Sequence, residues 1–125
     1  MSTKAKFAGS RNIAMKIPPH LWDETVKFYR DVVGLNVIEH APTVPPSVCF
    51  EFGVNQLWID RVDSLSQAEI WLELSTDDVQ AAGSHLKSAD IVRRDEIEPL
   101  PEGFEGFWIQ NPASIIHMVK QTDQS

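Results

Sequence analysis

The sequence predicts an α+β fold built from two tandem β-α-β-β-β modules. Three observations predict it. An alternating apolar stretch, Ile13-Ala14-Met15-Lys16-Ile17-Pro18, leads into a helix-like run, Val26-Lys27-Phe28-Tyr29-Arg30-Asp31-Val32-Val33-Gly34-Leu35, that a glycine stops. A weaker copy follows, with Ile70-Trp71-Leu72-Glu73-Leu74 leading into Asp77-Asp78-Val79-Gln80-Ala81-Ala82. Short alternating stretches, punctuated by Pro and Gly, fill the rest of each half. The chain of 125 residues reads as one domain, with module 1 over about 10–62 and module 2 over about 68–121. The doubling points to a cleft between the halves as the seat of function.

The first strand is expected from Asn12 to Ile17, with Ile13, Met15 and Ile17 on one face and Asn12, Ala14 and Lys16 on the other. Pro18 and Pro19 end it, because proline cannot donate to a ladder. A helix follows over about Leu21 to Val33, presenting Leu21, Trp22, Val26, Tyr29, Val32 and Val33 along one side, with Gly34 as its stop. Leu35 to His40 reads as a second strand, and the three prolines between Ala41 and Ser47 make a loop. Val48 to Phe52 alternates, with Val48, Phe50 and Phe52 inward to the helix. Gly53-Val54-Asn55 turns the chain, and Gln56 to Val62 returns it.

Asp63 to Gln67 is a short polar connection. In the second module Glu69, Trp71 and Glu73 share one strand face, and Ile70, Leu72 and Leu74 the other. Thr76 is the expected N-cap of a helix ending around Ser88 to Asp90, with Asp77 and Asp78 suiting its positive start. Ile91 to Arg94 reads as a weak strand and Glu96 to Gly106 as a long loop. Gly106 to Gln110 is strand-like, Asn111 to Ser114 a turn, and Ile115 to Lys120 the closing strand. Residues 1–6 are expected to form a loose leader rather than a secretory signal, and the last few residues to fray.

The charge excludes some functions. Eleven basic against 18 acidic side chains give a net charge of -7, which disfavours nucleic-acid backbones. No apolar run approaches the ~20 residues of a membrane helix. A single cysteine, Cys49, excludes an internal disulfide and suits a reducing, cytoplasmic setting. It reads as a small buried side chain on a strand.

Phe28-Tyr29-Arg30-Asp31-Val32-Val33-Gly34-Leu35, the helix start Asp77-Asp78-Val79-Gln80-Ala81-Ala82 and the final Asn111-Pro112-Ala113-Ser114-Ile115-Ile116-His117-Met118 together resemble the vicinal oxygen chelate superfamily. Glyoxalase I, extradiol dioxygenases and bleomycin-resistance proteins share that fold. The resemblance implies sheets curved around a shared cavity, a homodimer and, in the enzymes, a divalent metal held by His, Glu and Gln from the strands. In this chain Asn12 falls at the first ligand position, and Asp60 or Glu51 near the second. The third falls on Glu69 or on Trp71. The fourth is His117 if one residue is deleted from the last turn, and Met118 otherwise. The ordinary ligand set is therefore incomplete.

Two functional readings follow. In the first the chain binds a small molecule without a metal cofactor, as the bleomycin-resistance branch does. Asn12, Lys16, Glu51, Trp58 and Trp71 would line the site, the tryptophans giving flat walls to a planar or cationic guest. In the second it is a metal-dependent lyase or dioxygenase. Asp60, Glu69 and His117 would then hold one Zn, Ni, Mn or Fe ion, with Glu73 or His117 moving the proton. Structural alternatives stand beside both: Glu69 or Glu73 paired with Lys16 or a partner subunit, the tryptophans as core or dimer-interface packing, and His20, His40 and His85 at the surface.

Overall fold

A computed structural model describes residues 5–122 of the chain. Part of the expected leader, residues 1–4, and the expected frayed end, residues 123–125, lie outside the described residues. The elements in chain order are β1 (Phe7–Gly9), β2 (Asn12–Ile17), α1 (Pro19–Lys27), a π-helical turn (Phe28–Val33), β3 (Val37–Ile38), β4 (Ser47–Phe52), β5 (Asn55–Arg61), β6 (Glu69–Thr76), α2 (Val79–Ser88), β7 (Gly106–Gln110) and β8 (Ile116–Gln121). The chain divides into two units, one of residues 11–71 and one of residues 5–10 and 72–122. The division falls inside β6, not in the polar connection after β5. No described helix is long and apolar enough to cross a membrane.

In the first unit β2 runs parallel to β5, β5 antiparallel to β4, and β4 antiparallel to β3. The start of β6 pairs antiparallel with the other edge of β2. Ile17, Val26, Phe50, Leu57 and Ile59 form the buried core under α1, with Ile13, Met15, Trp22, Tyr29 and Val48 against it. Trp22, Val26 and Tyr29 repeat at helical spacing and make the inward stripe. Leu21 lies one position off that row and is 40% exposed.

α1 starts two residues earlier than expected, because Pro19 suits the first helical position, where no amide donor is needed. Its end is a π turn, whose i→i+5 bonds widen the spiral and rotate later residues off the apolar stripe. That removes Val32 and Val33 from the expected inner face; Val32 is 75% exposed. Gly34 at φ 83° closes the turn, and the amides of Gly34 and Leu35 both donate to the Tyr29 carbonyl. Phe52, expected inward, is exposed beside the Gly53 turn, outside the core cluster. The strand expected over Leu35–His40 shrinks to the two residues of β3.

In the second unit β6 runs parallel to β8, β8 antiparallel to β7, and β1 antiparallel to β6. Ala82, Phe107, Ile109 and Val119 are its buried cluster, with Leu74, Val79, Leu86 and Ile91 alongside. Of the β6 face expected under a helix only Leu74 packs there; Ile70 and Leu72 are exposed. Asp78, not Thr76, caps α2: its Oδ1 accepts from the Ala81 amide at 3.0 Å. Thr76 instead ends β6 as a buried strand residue. The strand expected at Ile91–Arg94 reduces to one bridge, Arg93 with Ile109.

Candidate functional site

Alternation sends one side of the first unit's strands under α1 and the other side away from it. Register decides what meets on that second side. Lys16 pairs across the sheet with Asp60 on β5 and with Glu69 on β6, and Asp60 pairs in turn with Ser47 on β4. Ala14, two residues earlier, stands between Trp58 and Trp71. Its single methyl leaves room for an indole on each flank.

Lys16 is the central side chain, and it is only 4% exposed. A buried ammonium needs countercharge. Asp60 supplies it: Lys16 Nζ lies 2.8 Å from Asp60 Oδ2. The Ser47 hydroxyl donates to the other oxygen, Oδ1. Lys16 Nζ also stands 4.2 Å from the centre of the Trp71 ring, a cation–π contact. Trp71 turns its Nε1–H to Glu69 Oε1 at 3.0 Å. Both carboxylates and the indole face are thus engaged by groups of the protein itself.

The other end of this face is less closed. Trp58 is half-buried and donates from Nε1 to Asn12 Oδ1 at 2.9 Å. The His40 ring packs against it, centroids 4.9 Å apart. His40 Nδ1 lies 2.7 Å from the Ala41 carbonyl. A carbonyl only accepts, so Nδ1 carries a proton, and Nε2 is the ring nitrogen left for a guest. Beside it a cavity of about 340 Å³ is lined by Ile38, His40, Pro42, Pro46, Ser47 and Cys49, among others. Cys49 is fully buried, and burial, then the Asp60 charge, pushes its thiol pKa up. The raised pKa keeps it protonated and unreactive, so it forms part of the wall.

The remaining sequence candidates have surroundings of their own. Glu51 is exposed and accepts a hydrogen bond from Asn36 Nδ2 at 3.3 Å. Glu73 is in the second unit, 3.6 Å from Lys120 Nζ. His117 is in the second unit too, and its register pairs it with Leu72 and Ile109. It therefore shares a side with Val119, the side that packs under α2, whereas Met118 pairs with Glu73 and shares its side. His117 Nδ1 is 3.1 Å from the Ile115 carbonyl.

The set Asp60, Glu69 and His117 does not fit a metal ion. Asp60 is tied to Lys16 and Ser47, Glu69 to Trp71, and His117 faces with the α2 side of its own sheet. Among the described residues no group of three or more His, Cys, Asp or Glu side chains is arranged to hold one. Trp71, expected as an open wall, is buried beneath Lys16. His40 and Ser47 were not expected here. Ser47 was legible: counting outward from the Gly53–Val54 turn pairs it with Asp60. His40 was not, because it reaches Trp58 from outside any strand.

No protein-family model matches the sequence, and no curated protein matches it. Solved structures do. The Mn(II)-bound glyoxalase from Novosphingobium aromaticivorans superposes at a TM-score of 0.64 and 16% identity, over 94% of this chain and 40% of that one. This chain thus spans well under half of that glyoxalase. Methylmalonyl-CoA epimerase from Mycobacterium tuberculosis superposes at 0.62 and 11% identity, over 98% and 93% of the two chains. A glyoxalase/bleomycin resistance protein/dioxygenase superfamily member from Vibrio splendidus 12B01 gives 0.60 and 13%, over 87% and 97%. Superposing on these structures over 87–98% of its length, the chain has the vicinal oxygen chelate fold.

Proposed function

We propose that this chain is a small-molecule-binding protein of the glyoxalase/bleomycin-resistance type that works without a catalytic metal. One observation carries the reading: the buried Lys16 ammonium occupies the carboxylate and indole that a bound cation would use. A divalent ion would have to displace a covalently attached cation from Asp60, at the cost of leaving that ammonium buried beside it. The guest belongs at the other end of the face, against Trp58, His40 and Asn12 and the adjoining cavity. Trp58 offers an aromatic flank, His40 Nε2 a hydrogen-bonding nitrogen, and the net charge of -7 favours a neutral or cationic guest over an anion.

The test begins with the metal content of untagged protein, followed by titration with Zn²⁺, Ni²⁺, Mn²⁺ and Fe²⁺. No stoichiometric ion is expected. A tryptophan-fluorescence screen of planar neutral and cationic compounds then gives a saturable change that Trp58→Leu removes. One tightly held ion per chain, lost in Asp60→Asn or Glu69→Gln, overturns the proposal and returns the chain to the metal-dependent lyases and dioxygenases.

A further inference from the structure

The second unit holds a hollow that the proposed guest site does not use. It measures about 400 Å³ and is lined by Gln80, Gly83, Ser84 and Lys87 of α2 together with Arg93 and Phe107. Gln80, Ser84 and Lys87 are spaced by four and three residues, so they project along one helix face. The whole lining carries two cations and no carboxylate, in a chain where acids outnumber bases 18 to 11.

Arg93 is fixed in place. Its Nε and Nη2 donate to Asp95 Oδ2 at 3.0 and 2.6 Å. Its guanidinium carbon lies 4.2 Å from the centre of the Phe107 ring, and its backbone bridges to Ile109. That leaves Nη1, which lies 3.7 Å from where a Cβ on Gly83 would stand. Any side chain at 83 would lie against Nη1, so the glycine keeps it uncovered. Lys87 makes no ion pair with a described residue. Asp95 holds one edge of the guanidinium and offsets part of its charge, while the free edge remains a directed donor.

We propose that this hollow binds the phosphate group of a small molecule. Arg93 Nη1, Lys87 Nζ, the Ser84 hydroxyl and the Gln80 amide give four donors, more than a planar carboxylate employs and matched to the three free oxygens of a phosphate monoester. The volume falls in the range of ligand sites, so it accommodates the organic part as well. The net charge of -7 repels polyanions, which restricts the ligand to a small one.

Amide and arginine-side-chain NMR during titration with phenyl phosphate, and separately with inorganic phosphate, tests this at low and at physiological ionic strength. Saturable shifts at Gly83, Ser84, Lys87 and the Arg93 Nε–H are expected. Lys87→Ala should weaken phenyl phosphate about tenfold, the loss of one hydrogen bond to a charged group. Gly83→Leu should abolish binding while keeping α2 intact, since leucine has the higher helix propensity. Shifts that never saturate, or affinities that survive both substitutions, overturn the proposal. Binding to phosphatidic-acid vesicles with no response to either free phosphate also overturns it, by making the surface a membrane contact.

Discussion

Both units place a lysine–carboxylate pair on the side of the sheet away from the helix, and the two pairs differ in kind. In the first unit Lys16 and Asp60 meet at 2.8 Å with side-chain exposures of 5% and 19%. In the second, Lys120 and Glu73 stand 3.6 Å apart at 29% and 12%. The difference follows from what surrounds them. Lys16 lies on β2, flanked by β5 and β6, with an indole beneath its ammonium and a serine behind its partner. Lys120 lies near the end of β8. The cores differ in the same direction. α1 brings Trp22, Val26 and Tyr29 against Phe50, Leu57 and Ile59, whereas the fully buried contribution of α2 is Ala82. The repeated topology therefore does not repeat the chemistry: one copy buries its lysine against a carboxylate and an indole, and the other leaves its lysine within reach of solvent.

The sharpest way to break this comparison is Asp60→Asn. It sets a neutral amide against the buried ammonium, and losing one partner of a buried pair costs about 3–5 kcal/mol. Urea unfolding measures it. A loss below about 1 kcal/mol, the range of an exposed pair, means that Lys16 reaches water and the contrast with Lys120 is void. The double variant Lys16→Met with Asp60→Leu should recover most of the loss, because apolar replacement of a buried pair is often neutral.

The helix starts give a second, smaller contrast. α1 begins at Pro18–Pro19 with no side-chain cap, whereas α2 is capped by Asp78 Oδ1 on the Ala81 amide. Asp78→Ala should therefore lower stability by about 1 kcal/mol. Thr76→Val, which removes the hydroxyl at the position the sequence suggested as the cap, should leave the Ala81 and Ala82 amide chemical shifts unchanged. Selective loss at Thr76 would restore the sequence-based assignment.

What was legible in the sequence tracks how local the determinant is. β2 and β7 match expectation residue for residue, because alternation and their flanking Pro or Gly are local signals. Gly34 stopped its helix as expected, since a left-handed residue there favours glycine. The π turn was not legible, because nothing in Phe28–Val33 distinguishes i→i+5 from i→i+4 bonding, and it exposed Val32 and Val33. At the site, alternation put Asn12, Lys16, Trp58, Asp60, Glu69 and Trp71 on one side. Only register could add that Lys16 lies opposite both Asp60 and Glu69; it pairs with the first, and Trp71 takes the second. His117 shows the same limit. Sequence alone left a one-residue ambiguity in the last turn, and only the pairing with Leu72 and Ile109 puts His117 on the side of Val119.

The smallest expected effect is the most discriminating for the second unit. Glu73→Gln keeps shape and acceptor but removes the charge opposite Lys120. At 3.6 Å the ion pair is longer than a direct hydrogen bond, and Lys120 retains access to water. The cost should stay within about 0–1 kcal/mol and shrink further in salt, because the lysine of this long pair is solvated. Thermal unfolding at low and high ionic strength measures both. A cost approaching that of Asp60→Asn, insensitive to salt, would mean that Glu73 carries a buried charge of its own. The second unit would then hold the same kind of polar core as the first, and the asymmetry drawn from the two lysines would be lost.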